Sequence, residues 1–100
     1  MDFGEALRSL KAGNRVYREG WNGKGMWIAL SPGYGDLPAE KFWSAHNARY
    51  ADRNGGHATV NPSITIKNAD GTISFWAPSI GDALAEDWCT VAEDGAHGDR

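Results

Sequence analysis

The chain has 100 residues, of which 41% are hydrophobic and 23% charged, and its formal net charge is −3. At that length folding buries somewhat more than about 60% of the unfolded surface, so a single domain with a thin core is expected. The acidic balance excludes a general DNA or RNA binder, no apolar run approaches the roughly 20 residues of a membrane span, and the lone Cys89 excludes an intrachain disulfide and a multi-cysteine metal site.

Asp2 can cap a first helix, with Glu5 in the capping-box position. Phe3, Ala6, Leu7 and Leu10 then form an amphipathic stripe, and Gly13-Asn14 ends it, which predicts a helix over about residues 2–12. Asp2 and Glu5 precede any apolar block, so no signal peptide is read there and a cytoplasmic protein is expected. Arg15-Val16-Tyr17-Arg18 is β-prone, a Gly-rich turn follows, and Met26-Trp27-Ile28-Ala29-Leu30 reads as a strand buried on both faces. Residues 31–37 read as a loop on Pro32, Gly33 and Gly35. Pro38 suits a helix start, and Phe42, Trp43, His46 and Tyr50 at helical spacing predict a helix over 38–51, ended by Asn54-Gly55-Gly56. Residues 57–62 read as irregular.

Ile64-Thr65-Ile66 and Ile73-Ser74-Phe75 alternate around the turn Asn68-Ala69-Asp70-Gly71, the clearest hairpin in the chain. Ser79, with Asp82 three residues on, caps a short helix to Leu84. Trp88-Cys89-Thr90-Val91 is a last strand, with Cys89 expected as a reduced core thiol, and residues 92–100 read as a mobile tail. The fold class is therefore α+β: a small antiparallel sheet of about five strands covered by one or two helices.

Catalytic chemistry finds little support. His46, His57 and His97 match no zinc spacing, and no cofactor motif is present. There is no G-x-S-x-G motif, and Glu86-Asp87 would point to opposite faces of a strand, as a solvated loop before it. Gly20-Trp21-Asn22-Gly23-Lys24-Gly25 lacks phosphate-loop spacing, although its N–H groups and Lys24 could face an anion. The aromatic residues are the informative set. Five tryptophans are a heavy load for so thin a core, and rings at rims or subunit interfaces are expected. Trp21 sits in the Gly-rich turn. Trp76 ends a strand beside Pro78, Ser79 and Asp82. Two such rings could hold a base between them, with Ser79 and Asp82 reading its edges. The alternative is an ordinary hairpin whose tryptophans fill the core, with Ser79 and Asp82 only capping a helix.

Asp2-Phe3-Gly4-Glu5-Ala6-Leu7, Arg18-Glu19-Gly20-Trp21-Asn22-Gly23-Lys24-Gly25-Met26-Trp27 and Leu84-Ala85-Glu86-Asp87-Trp88 together resemble the Thoeris anti-defence protein two family of small phage proteins. The resemblance covers most of residues 2–91, and 33–61 lies outside it as an insertion carrying basic residues. It implies a single nucleotide-binding domain over residues 1–91 that sequesters, without cleaving, the signalling nucleotides made by bacterial TIR-domain enzymes. Those are chiefly glycocyclic ADP-ribose isomers, with cyclic dinucleotides in a separate pocket for some members. It further implies a homotetramer in the host bacterial cytoplasm that keeps the Thoeris effector off. By match, Trp21, Asn22, Trp76, Ser79 and Asp82 fall near the nucleotide pocket; Lys24 of the Gly-rich turn and Pro78 beside Trp76 complete the expected ligand-binding set, with no catalytic residue and no cofactor. Two other classes stay open: a hydrolase of such nucleotides using His46 or His57 with a carboxylate, and a phage module that docks on a protein through its tryptophans.

Overall fold

The computed structural model describes residues 1–21 and 24–92. The chain falls into two compact units, one built from Met1–Ser31 and from Ser63 onward, the other from Pro32–Pro62.

The first unit is a five-stranded antiparallel sheet with helices. Its strands are β1 (Val16–Arg18), β2 (Trp27–Ser31), β5 (Ser63–Lys67), β6 (Ile73–Phe75) and β7 (Trp88–Thr90), in the order β6-β5-β2-β1-β7. Helix α1 (Phe3–Lys11) starts on the expected capping box: the Asp2 carboxylate accepts from Glu5 N at 2.8 Å and Glu5 accepts from Asp2 N at 2.9 Å. The helix lays Ala6 and Leu10 on the sheet, where they meet Val16, Ile28, Ile66 and Trp88. This core is small, as the chain length requires, and half-buried Phe3, Trp21 and Trp76 extend it.

Strands β2 and β5 pair along their whole length, from Trp27 opposite Lys67 to Ser31 opposite Ser63. Residues 32–62 connect the two strands in sequence, between Ser31 and Ser63. Within the β5–β6 hairpin, the Asp70 carboxylate accepts from Thr72 N at 3.0 Å and Thr72 Oγ1 at 2.6 Å, which closes the turn. Thr65 pairs with Phe75 and Ile66 with Ser74, which decides which side of β6 faces inward. Ser74 shares the inner face with Ile66, while Ile73 and Phe75 lie on the outer face, 66% and 74% exposed. Opposed residues share a face and alternation is strict, so the register alone determines this outcome.

The same register corrects the reading of β2 as a strand buried on both faces. Only Ile28 is fully buried, and Trp27 and Ala29 lie half-buried on the outer face, with the Arg15 guanidinium 5.2 Å from the Trp27 ring. Cys89 is likewise half-buried and opposes Tyr17 across β1 and β7, so it is not a core thiol.

The second unit pairs β3 (Tyr34–Pro38) with β4 (His57–Val60), and α2 (Ala45–Arg53) lies between them in sequence. Both strands fall where a loop and an irregular stretch are expected. Gly33 opens β3 at φ +82°, with an added Cβ only 2.2 Å from the Val60 carbonyl, so the two chains approach as closely as glycine permits. The helix expected over 38–51 is shorter and later. Pro38 opens only a 3-10 turn, Ala39–Lys41, and Phe42 then turns extended at ψ 143°. Ser44 is also extended, and the helix starts after it. Phe42 and Trp43 therefore precede α2 and stack on each other, with ring centroids 5.6 Å apart. Their helical spacing to His46 and Tyr50 is coincidental. The tail expected over 92–100 lies outside the described residues beyond position 92.

Candidate functional site: the aromatic corner at Trp21 and Trp76

Strand β1 ends at Arg18, directly opposite Trp88 of β7. The chain then turns: Trp21 N donates to Arg18 O at 3.2 Å. Residues 86–88 hold that turn from the side. Glu19 N donates to Asp87 O at 3.1 Å, and Gly20 N donates to Asp87 Oδ2 at 2.8 Å. A Cβ on Gly20 would stand 2.9 Å from the same carboxylate oxygen, so glycine is what lets Asp87 approach the backbone.

The short helix α3 (Ile80–Leu84) supplies the other wall. Ser79 Oγ accepts from Asp82 N, and Asp82 Oδ2 accepts from Ser79 N, each at 3.0 Å, which is the capping box expected from the sequence. Asp82 also faces the turn. Arg18 spans both acids, donating from Nη1 to Asp82 at 2.8 Å and from Nε to Asp87 at 2.9 Å.

These contacts explain the titration of the group. Arg18 and then the Gly20 N–H hold the Asp87 carboxyl below the usual carboxylate range. Burial is the largest influence on Asp82 and pushes it up. Hydrogen bonds from the Ser79 backbone, Arg18 and the Ser79 hydroxyl, with a smaller contribution from the Trp21 side chain, together outweigh that burial and leave it below the usual range. The two carboxylates in turn make Arg18 harder to deprotonate, Asp87 more than Asp82.

Four rings pack into this frame. Trp88, 1% exposed, is the centre, and its Nε1 donates to the Asp82 carbonyl at 3.0 Å. Trp21 meets it edge-on at 5.4 Å, Trp76 edge-on at 6.1 Å, and Phe3 at 5.4 Å and a tilt of 42°. Trp21 and Trp76 are themselves 6.5 Å apart at 68°. Edge-to-face packing of this kind is the preferred geometry of aromatic pairs. It also corrects the picture of a base held between the two indoles. A base needs two parallel facing rings, and these two are nearly perpendicular, so a flat ligand has only an outer ring face to stack on.

The fold thus brings Trp21, Trp76, Ser79 and Asp82 to one corner, with exposed Pro78 on the connection between Trp76 and α3. Both Asp82 oxygens are already engaged within the chain. Lys24 is exposed, and none of the corner's hydrogen bonds described above involves it. Asn22 lies outside the described residues. Arg18 and Asp87 are the residues that sequence reasoning missed, since Asp87 reads there as a solvated loop residue. Their partners lie 64 and 69 positions away along the chain, beyond any local pattern.

The two described histidines are elsewhere, and His97 lies outside the described residues. His46 Nδ1 lies 3.0 Å from Arg49 Nη2, and His57 Nδ1 lies 3.3 Å from Asp36, both pairs exposed in the second unit. Among the described residues, no three His, Cys, Asp or Glu side chains come together as a metal site.

Comparison with known proteins places the chain in a family. The model of the Thoeris anti-defense 2-like domain matches residues 1–91. Thoeris anti-defense 2 of Bacillus phage SP01 is 42% identical over 92 residues, which cover 92% of this chain and 96% of that protein. All the elements of the aromatic corner lie inside the matched region, and the chain belongs to the Thoeris anti-defense 2-like family.

Proposed function

We propose that this protein acts in phage anti-defence by sequestering a cyclic ADP-ribose-type signalling nucleotide of the Thoeris system in the host bacterial cytoplasm. The preferred ligand is a glycocyclic ADP-ribose isomer, held without cleavage, so that the Thoeris effector is not activated. Family membership supports the anti-defence role. The observation that carries the binding mode is the aromatic corner. Two half-buried indoles, Trp21 and Trp76, sit edge-on to the buried Trp88, and stacking on such a ring is worth roughly 1–3 kcal/mol per base. The polar groups around them are tied up with one another in a closed ion-pair and capping network, which suits a rigid binding surface better than acid–base chemistry.

A homotetramer fits the same reading. The outer face of the sheet carries exposed Ile73 and Phe75 beside half-buried Trp27 and Tyr17, an apolar surface that a second copy would cover.

The test is release. The protein is incubated with glycocyclic ADP-ribose, freed of unbound nucleotide and heat-denatured, and the supernatant is analysed. Intact nucleotide at stoichiometric yield is expected. A cleaved product, or no retained nucleotide, overturns the proposal. Light scattering is expected to give about four times the 10.8 kDa chain mass, and Phe75→Glu to lower it. A monomer at micromolar concentration refutes the assembly.

A further inference from the structure

Within the turn that carries Trp21, Glu19 and Gly20 are both exposed, so apart from the packing of the Trp21 ring itself on Trp88 and Trp76, what holds it is polar. Asp87 grips Gly20 N and, through its carbonyl, Glu19 N, while Asp82 ties α3 to the same place through Arg18. Two carboxylates this close repel each other unless a cation stands between them. Arg18 is that cation, with one nitrogen on each acid, at 2.8 and 2.9 Å. Its backbone carbonyl also accepts the Trp21 N–H.

We propose that Arg18 is a positioning residue for ligand binding at Trp21, clamping Asp82 and Asp87 so that the turn and α3 present the indole in one orientation. This rests on the nucleotide reading above and adds a role that acts through other residues. Arg18 is badly placed to bind a phosphate itself. Two of its donors are spent on carboxylates, and the group of three carries a net charge of −1, which repels an anion. Its value lies in geometry: a planar fork can engage two acids at fixed angles, as a lysine ammonium cannot.

The proposal predicts a specific non-additivity. A residue that acts only by orienting Trp21 has nothing left to orient once the indole is removed. The experiment is a double-mutant cycle of Arg18→Gln and Trp21→Ala, with binding of glycocyclic ADP-ribose measured by calorimetry and folded fraction by circular dichroism. In the wild-type background Arg18→Gln is expected to weaken binding about tenfold, within the range for residues sharing one network. On Trp21→Ala it is expected to change binding less than about twofold. Arg18→Lys is expected to restore part of the affinity, since an ammonium meets one acid at a time. If Arg18→Gln fails to fold, Asp87→Asn takes its place in the cycle, with the same pattern expected.

An equal loss in both backgrounds would mean that Arg18 touches the ligand, and overturns the proposal. Unchanged affinity with a lowered melting temperature reduces Arg18 to a structural brace, and also overturns it. Wild-type protein that binds no nucleotide overturns the functional reading itself, so the two failures are distinguishable.

Discussion

Replacing Trp21 with alanine separates a binding surface from a core. Trp21 is half-buried and packs edge-on against Trp88 at 5.4 Å and Trp76 at 6.5 Å. Full truncation of a buried tryptophan costs roughly 3–5 kcal/mol, and half of that burial puts the cost at about 2 kcal/mol. A domain of this length loses about 4–8 °C per kcal/mol, so the melting temperature of the free protein should fall by roughly 8–16 °C. Trp88→Ala is the internal reference. That ring is 1% exposed, touches three other rings and donates to the Asp82 carbonyl, so its removal should cost about twice as much or prevent folding. Ligand affinity supplies the second axis. If Trp21 stacks on the nucleotide, the folded Trp21→Ala protein should bind roughly 5- to 150-fold more weakly. Trp21→Phe keeps an aromatic face and should recover part of that loss. Differential scanning calorimetry on the free protein and isothermal titration at a temperature where both variants are folded read the two axes separately. A Trp21→Ala protein that melts as low as Trp88→Ala, yet binds normally once folded, would refute the assignment of Trp21 to the site.

Two further outcomes follow from the same geometry. Asp82 and Asp87 titrate lower in the folded protein than in the unfolded chain, so their stabilisation is complete above the ordinary carboxylate range and is lost as pH falls through their folded values. Melting temperature should therefore hold from about pH 6 to 8 and drop below about pH 4. Asp87→Asn should start from a lower plateau and drop less, and an identical acid limb in both proteins would contradict the ion-pair account. In the second unit, Gly33→Ala puts a Cβ 2.2 Å from the Val60 carbonyl at a φ of +82°, so limited proteolysis should cut within 32–62 sooner than in wild type. Equal protection would show that the close approach of these two chains is not needed.

How far the amino-acid sequence alone determines this protein can be seen element by element. The capping boxes at Asp2–Glu5 and Ser79–Asp82 and the turn at 68–71 were readable because each closes hydrogen bonds between residues two to four apart. The five strands of the main sheet were readable on a different local cue, as short β-prone runs between breakers, although their hydrogen bonds run to distant strands. The helix start in the second unit was not. Phe42 and Trp43 keep helical spacing with His46 while their backbone is extended, and spacing cannot report a dihedral angle. The direction of Ile73 and Phe75 was not legible either, because alternation says that one face of a strand is apolar and only pairing with β5 says which face turns inward. The corner itself divides along the same line. Trp21, Trp76, Ser79 and Asp82 were each visible as residues at a turn or strand end. Only the tertiary structure places Arg18 between Asp82 and Asp87, because ion pairs spanning 64 and 69 positions leave no trace in local sequence and exist only once β1, α3 and β7 have come together.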